Sequence, residues 1–372
     1  MFPLYIHIPF CKRKCDYCSF YSEKERRVPD WYIEALVGYI KHYRKKMGQP
    51  DTVYIGGGTP SLLLPGQIEK IMEAADPKPD AECTIEVNPD SANMRTLKIA
   101  KKLGINRVSV GIESFADEDL TVLGRRYTGY RCADVLTGLQ KIGYENISMD
   151  IMFGVPYQDL DLLEFTIGGA VDLALPHVSV YNLTLEKGTK LADSGFEGNE
   201  DSELDMYLYL CKQLERYGYK QYELSNFCKP GYESKHNSVY WTDADYIGIG
   251  PSAHSRIKNR RYAYEPDIEQ FVNKFKAQNF EFDYAYRLEE YDRVYEAVML
   301  GLRTTKGMPL EVVEKVVGKS QVAKDICQRE LGYIEDGRLK LKPRGMFVIN
   351  FITNQFMLEY DLALKEQGKP GL

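Results

Sequence analysis

The chain has 372 residues, 44% hydrophobic and 27% charged, with 48 Lys and Arg against 54 Asp and Glu for a formal charge of −6. These are the values of a soluble globular protein large enough to bury a core unaided, and they exclude disordered and collagenous classes. A mildly acidic chain has no general attraction for phosphate backbones, so no nucleic acid is expected as a partner. Cys11 is reached without a basic leader or cleavage site, and no apolar run of about eighteen residues occurs, which predicts a cytoplasmic protein with no transmembrane segment.

Strand-like runs at residues 4–8, 52–55, 83–87, 107–110, 147–153 and 177–181 alternate with helical patterns at 31–46, 67–75, 94–103, 130–142 and 161–174. Strands separated by helices specify an α/β fold with a parallel sheet built by right-handed crossovers, wound as an open sheet or as a barrel. In both, ligands collect at the carboxyl ends of the strands. The informative residues sit there. Cys11, Cys15 and Cys18 follow the first strand, and Gly56-Gly57-Gly58-Thr59-Pro60 follows the second. Glu86, Asn88 and Pro89 end the third, Gly111 and Glu113 follow the fourth, and Asp150 lies in the fifth. Their shared placement predicts one composite site.

Beyond Tyr181 a helix is expected at 204–217, then an aromatic- and glycine-rich stretch at 219–255 suited to loops around a site. A boundary near 280 divides the chain into units 1–280 and 281–372. The second reads as helices at 289–302, 310–317 and 321–331, then a hairpin turning at Asp336-Gly337, a winged-helix-like pattern. Its acidic residues Glu311, Glu314, Asp325 and Glu330 balance Lys315, Lys319, Lys324 and Arg329, which disfavours DNA reading.

The sharpest chemical signal is the Cys11-x3-Cys15-x2-Cys18 spacing on a loop after a strand. Three thiolates on one short loop suit a soft metal centre. One form is a cuboidal iron–sulfur cluster with one iron left open to an outside ligand. The other is structural zinc with His7 as fourth ligand. Lys12, Arg13 and Lys14 would stabilise the thiolates. His42 is expected to be solvated, His177 to be a satisfied edge residue, and His254, in a Gly- and Ser-rich turn, is left unassigned.

The segment from Tyr5 to Cys18, with Gly56-Gly-Gly-Thr-Pro60, resembles the radical S-adenosylmethionine superfamily, in the oxygen-independent coproporphyrinogen III oxidase-like branch. The likeness continues through Glu86-Val-Asn-Pro89, Arg107 to Phe115, Leu123-Gly-Arg125, Asp150-x3-Gly154-x-Pro156, Ser179 to Thr189, Tyr222 to Phe227 and Ala253-His-Ser255. The oxidases carry a further cysteine where this chain has Phe20, and His236-Asn-x2-Tyr240-Trp241 is similar to a signature of the HemW-type haem chaperones within that branch.

The resemblance implies a partial (β/α)6 barrel with a C-terminal winged-helix-like domain, a 4Fe–4S cluster on Cys11, Cys15 and Cys18, S-adenosylmethionine, and haem. It implies delivery of haem to an unidentified acceptor protein, with peripheral membrane contact allowed through a partner. The alternative it implies is a radical enzyme acting on a tetrapyrrole, a coproporphyrinogen III dehydrogenase or porphyrin methyltransferase; the dehydrogenase activity is not expected, and no catalytic residue is assigned. Gly57, Gly58 and Thr59 would approach the methionine moiety, Glu86 and Arg125 would meet its charged ends, and Asp150 would contact the cofactor. Tyr5 and Tyr17 would pack beside cluster and adenine. Glu113 stands where the family has glutamine and would accept from ribose hydroxyls. His236 would ligate haem iron, with Tyr240 and Trp241 supplying aromatic surface.

Overall fold

The computed structural model describes residues 2–368. Six strands are consecutive neighbours in one parallel sheet: β1 (Pro3–Ile8), β2 (Thr52–Gly57), β3 (Glu82–Val87), β4 (Arg107–Glu113), β5 (Asn146–Phe153) and β6 (His177–Asn182). Each meets only its sequence neighbours within that run, so the winding never reverses. A doubly wound sheet would need a switch point, and the barrel alternative is the one adopted. Helices α1 (Asp30–Met47), α2 (Pro65–Ala75), α3 (Met94–Lys102), α4 (Gly129–Lys141) and α5 (Leu160–Asp172) fill the crossovers. The strand Ile247–Ile249 adds parallel to β1, and Asn226–Cys228 adds antiparallel to β6, so the barrel remains partial.

Parallel strands covered on both faces normally read as continuous apolar runs. Here they alternate, and the alternation separates two environments. Leu4, Ile6, Ile8, Val53, Ile55, Ile85, Val108, Val110, Ile147, Met149, Val178 and Val180 join the helices' Leu36, Ile40, Ile71 and Leu136 in one apolar cluster. The opposite faces bond between neighbouring strands on the lumen side: Tyr54 Oη donates to Glu86 at 2.9 Å, Ser109 Oγ to Asp150 at 3.3 Å, and Ser148 Oγ pairs with His177 Nδ1 at 2.7 Å. The barrel has a greasy outside and a polar inside, which suits a scaffold for charged ligands.

The second unit packs helices Glu290–Leu302, Glu311–Val317, Gln321–Gln328, Pro343–Phe347 and Ile349–Glu366 with a three-stranded sheet of Met308–Pro309, Arg338–Leu341 and Gly332–Glu335. The winged-helix-like expectation is met, with two differences. Strand Tyr284–Arg287 pairs with Arg260–Ala263, so one sheet spans the expected boundary near 280. The long last helix was not anticipated, because Asn350 and Asn354 interrupt the apolar run. They form its exposed face, while Ile349, Ile352, Phe356, Met357 and Tyr360 at helical spacing are buried. No helix among the described residues is long and apolar enough to cross a membrane.

Candidate functional site

Beyond the carboxyl ends of β1–β6 lies a cavity of about 510 Å³. Cys11, Cys15 and Cys18 line it, and all three are unpaired thiols. Their loop is pinned through Asp16, whose backbone N–H donates to the Leu123 carbonyl at 3.3 Å and whose carbonyl accepts from Leu191 N at 2.8 Å. The Asp16 carboxylate also pairs with Lys190 at 2.9 Å. A Cβ on Gly124 would meet that carboxylate at 2.6 Å, so only glycine permits the approach. Burial pushes the Cys15 thiol up to about 11 and raises Cys18, with Arg125 opposing it at Cys15 and Lys14 and Arg125 at Cys18. Lys12 plays no part in this: it turns to Asp90, bonding its carbonyl at 2.9 Å.

The cradle beside the thiols comes from β2. A Cβ on Gly58 would lie 2.7 Å from the Phe10 carbonyl oxygen and 2.9 Å from Cys11 Sγ, while Thr59 Oγ1 donates to the same sulfur at 3.4 Å. Gly57 sits at φ +116°, a conformation side chains resist, and its N–H donates to Glu86 at 3.0 Å. Gly57, Gly58, Thr59, Glu86, Glu113, Arg125 and Asp150 all line the cavity, as does Tyr17.

Electrostatics divide this set. Arg125 forms an ion pair with Glu113, both under a tenth exposed, and donates to Tyr17 Oη at 2.8 Å. Arg125 therefore meets a carboxylate of its own chain and is not simply a free cation at the cofactor's end. Glu113 sits at φ +65° where the β4–β5 register shifts, a strained bulge that re-aims the side chain. Burial raises Glu86 to about 7 and Asp150 to about 8, the latter also through Glu113 and Glu86. Below them, Arg107 is 1% exposed and none of its guanidinium nitrogens meets a hydrogen-bond partner among the described residues. Its charge draws both carboxyls back down.

Three residues given roles in the sequence lie outside this cavity. Tyr5 does not line the cavity; its hydroxyl bonds His7 Nδ1 at 2.9 Å and its ring stacks on Tyr54 inside the barrel. His7 is likewise locked beneath Gly57 and burial lowers it to about 4, so the thiol cavity does not include it. His236 is fully buried at the opposite, amino end of the barrel. Its Nδ1 pairs with Thr52 Oγ1 at 2.7 Å and its Nε2 with Tyr240 Oη at 2.9 Å, while its backbone N–H donates to Glu82 at 2.9 Å. Burial drops its pKa to about 3. Both ring nitrogens are bonded to hydroxyls of the protein.

Sequence reasoning missed Asp16 and Ser109. Asp16 offered no signal beyond standing between Cys15 and Tyr17. Ser109 was legible in the period-two polarity of β4, next to Val108 and Val110 on the apolar side.

Residues 5–167 match the Radical SAM superfamily and residues 288–348 the HemN C-terminal domain. The chain is 34% identical to Heme chaperone HemW of Bacillus subtilis, covering 95% of this chain and 99% of that protein. It is 36% identical to Heme chaperone HemW of Escherichia coli over 68% of this chain and 70% of that one. Radical S-adenosyl methionine domain-containing protein 1, mitochondrial, of Danio rerio is 29% identical over 98% of this chain and 89% of its own. Coproporphyrinogen III oxidase (HemN) from Escherichia coli superposes with a TM-score of 0.82 at 20% identity, covering 95% of this chain and 89% of that structure, so the two share a fold. With near-complete coverage at this identity, the chain belongs to the HemW family of the radical S-adenosylmethionine superfamily.

Proposed function

We propose that this protein is a haem-binding chaperone that holds a 4Fe–4S cluster and S-adenosylmethionine in the strand-end cavity and passes haem to an acceptor protein. The observation that carries the cofactor half is the convergence of three unpaired thiols with a glycine cradle and buried carboxylates on one cavity. The haem half is supported by relatives named heme chaperones that align over nearly the whole chain. A cytoplasmic setting suits eight unpaired cysteines, which a reducing compartment preserves.

The donor set fits the group. Cys11, Cys15 and Cys18 would hold three irons, which leaves the fourth open. When bound, such a cluster supplies an exchangeable iron site for the amino and carboxylate ends of S-adenosylmethionine and one-electron redox chemistry. The Gly57-Gly58 backbone lets the methionine moiety approach without a Cβ in the way. Glu86 and Asp150 would accept from its amino N–H and hydroxyl groups, and its sulfonium charge would draw off the protons that burial leaves on them. Thr59 steadies the Cys11 sulfur, and Tyr17 and Arg125 wall the cavity beside it.

Anaerobic reconstitution with iron and sulfide tests both halves, followed by ferric haem titration and a coproporphyrinogen turnover assay. Roughly four irons per chain, haem binding and negligible decarboxylation are expected. Stoichiometric zinc without iron would contradict the cluster, and efficient decarboxylation would contradict the chaperone.

A further inference from the structure

A second cavity shares no lining residue with the first and carries the features a haem site needs. Its floor is one face of the sheet His254–Ile257, Arg260–Ala263 and Tyr284–Arg287. The register sets His254 beside Ala263 and Tyr284, and Arg256 beside Arg261 and Tyr286, so these alternate residues share a face. The helix Glu290–Leu302 closes the other side with Tyr295, Glu296 and Met299, and the space enclosed is about 690 Å³. That is the size of a pocket for a large organic ligand.

Two observations narrow the ligand. Tyr284, Tyr286 and Tyr295 are 54%, 58% and 40% exposed, presenting rigid aromatic surface at the mouth. His254 is exposed, and its Nδ1 lies 3.1 Å from the Ser252 carbonyl. A carbonyl only accepts, so Nδ1 carries the proton and Nε2 keeps its lone pair, with no partner among the described residues. That is the arrangement by which proteins orient an imidazole toward a metal. Charge does not add to these: Arg256 and Arg261 converge on the carboxylate of Glu296, at 3.6 and 2.7 Å, and Asp292 also lines the groove, so the assignment stands on the tyrosines and the imidazole.

We propose that this groove is where the protein binds haem, with His254 Nε2 as an iron ligand and the exposed tyrosines flanking the macrocycle. The assignment rests on the chaperone reading and moves the haem site away from His236. It also gives the His236 string a role. Tyr246, a wall of the groove, packs edge-on against Tyr240 with ring centroids 4.8 Å apart, and Tyr240 is held by His236 Nε2. His236 is thus a positioning residue behind the groove.

The test is a ferric haem titration of the full chain, wild type against His254→Gly, followed through the Soret band. His254 is exposed, so the variant keeps its fold. Wild type is expected to bind one haem with a histidine-ligated spectrum. His254→Gly is expected to bind at least about tenfold more weakly and to regain the histidine-like spectrum when free imidazole is added. Wild-type affinity and spectrum in His254→Gly would overturn the groove while leaving the chaperone standing, and a loss that imidazole does not rescue would overturn His254 as ligand. Absence of haem binding by the wild type would overturn the chaperone reading itself.

Discussion

The two ends of one polar barrel lumen are built differently. At the carboxyl end, Glu86 and Asp150 are held partly protonated, Glu113 sits on a strained bulge and three thiols form no disulfide. At the amino end, Thr52, Glu82, His236 and Tyr240 bond one another across strand and helix, and both nitrogens of the imidazole are engaged. Stored strain and unsettled charge mark the end prepared for ligands; saturated hydrogen bonding marks the end that closes the scaffold.

Cysteine replacement gives the largest expected difference between the ends. Cys11→Ala, Cys15→Ala or Cys18→Ala should each abolish cluster loading, read as iron and sulfide content, with an unchanged circular dichroism spectrum. Retained iron in any of them would break the assignment of the mouth. His236→Ala is expected to act in the opposite way. It strands the Thr52 and Tyr240 hydroxyls and empties a packed position, costing about 2–4 kcal/mol in denaturant unfolding. Iron content should stay at the wild-type level, and a haem spectrum that loses histidine ligation would show that the amino end is a ligand site after all.

Above about pH 6.5, the ordinary histidine value, His7 and His236, lowered to about 4 and about 3, are neutral folded or unfolded, and pH should move the mouth. Glu86 and Asp150 are both raised, so the neutral acids favour the folded state. Their contribution is complete below about pH 4, the ordinary carboxyl range, and is lost as pH rises to about 8. The melting temperature of the cofactor-free protein should therefore fall between about pH 6.5 and 8. S-adenosylmethionine binding to the reconstituted protein should tighten over pH 6–8, about the same window, as the carboxylates ionise. Flat profiles in calorimetry would show that these carboxyls do not meet the cofactor. The smallest effect expected is that of Glu113→Gln. It restores the residue usual in the family and releases Arg125 from its ion pair, so cofactor affinity should rise about threefold to tenfold. A loss of affinity would show that the carboxylate itself is needed.

Much of this was legible in the sequence because the barrel repeats a strong local signal. Runs such as residues 107–110 and 147–153 appear as strands within a residue or two at their starts, and the cluster of polar residues at strand ends lines one cavity. What could not be read depends on which way a side chain turns. Tyr5 and His236 carried motif positions, yet the pleat turns one into the lumen and the helix Lys235–Tyr240 buries the other at the amino end. The tyrosine groove was hidden because its walls come from segments at 254–263, 284–286 and 295–299, which only the fold brings together. Likewise, the Arg125–Glu113 pair needed both the bulge and the loop to be seen.

The most direct test of the cluster-bearing mouth is the electron paramagnetic resonance spectrum of the reduced, anaerobically reconstituted protein before and after S-adenosylmethionine is added. A signal of a 4Fe–4S cluster that shifts on addition, and shifts less in Asp150→Ala at equal iron content, is the predicted result. A cluster signal indifferent to the cofactor, or near-stoichiometric zinc in place of iron, would contradict it.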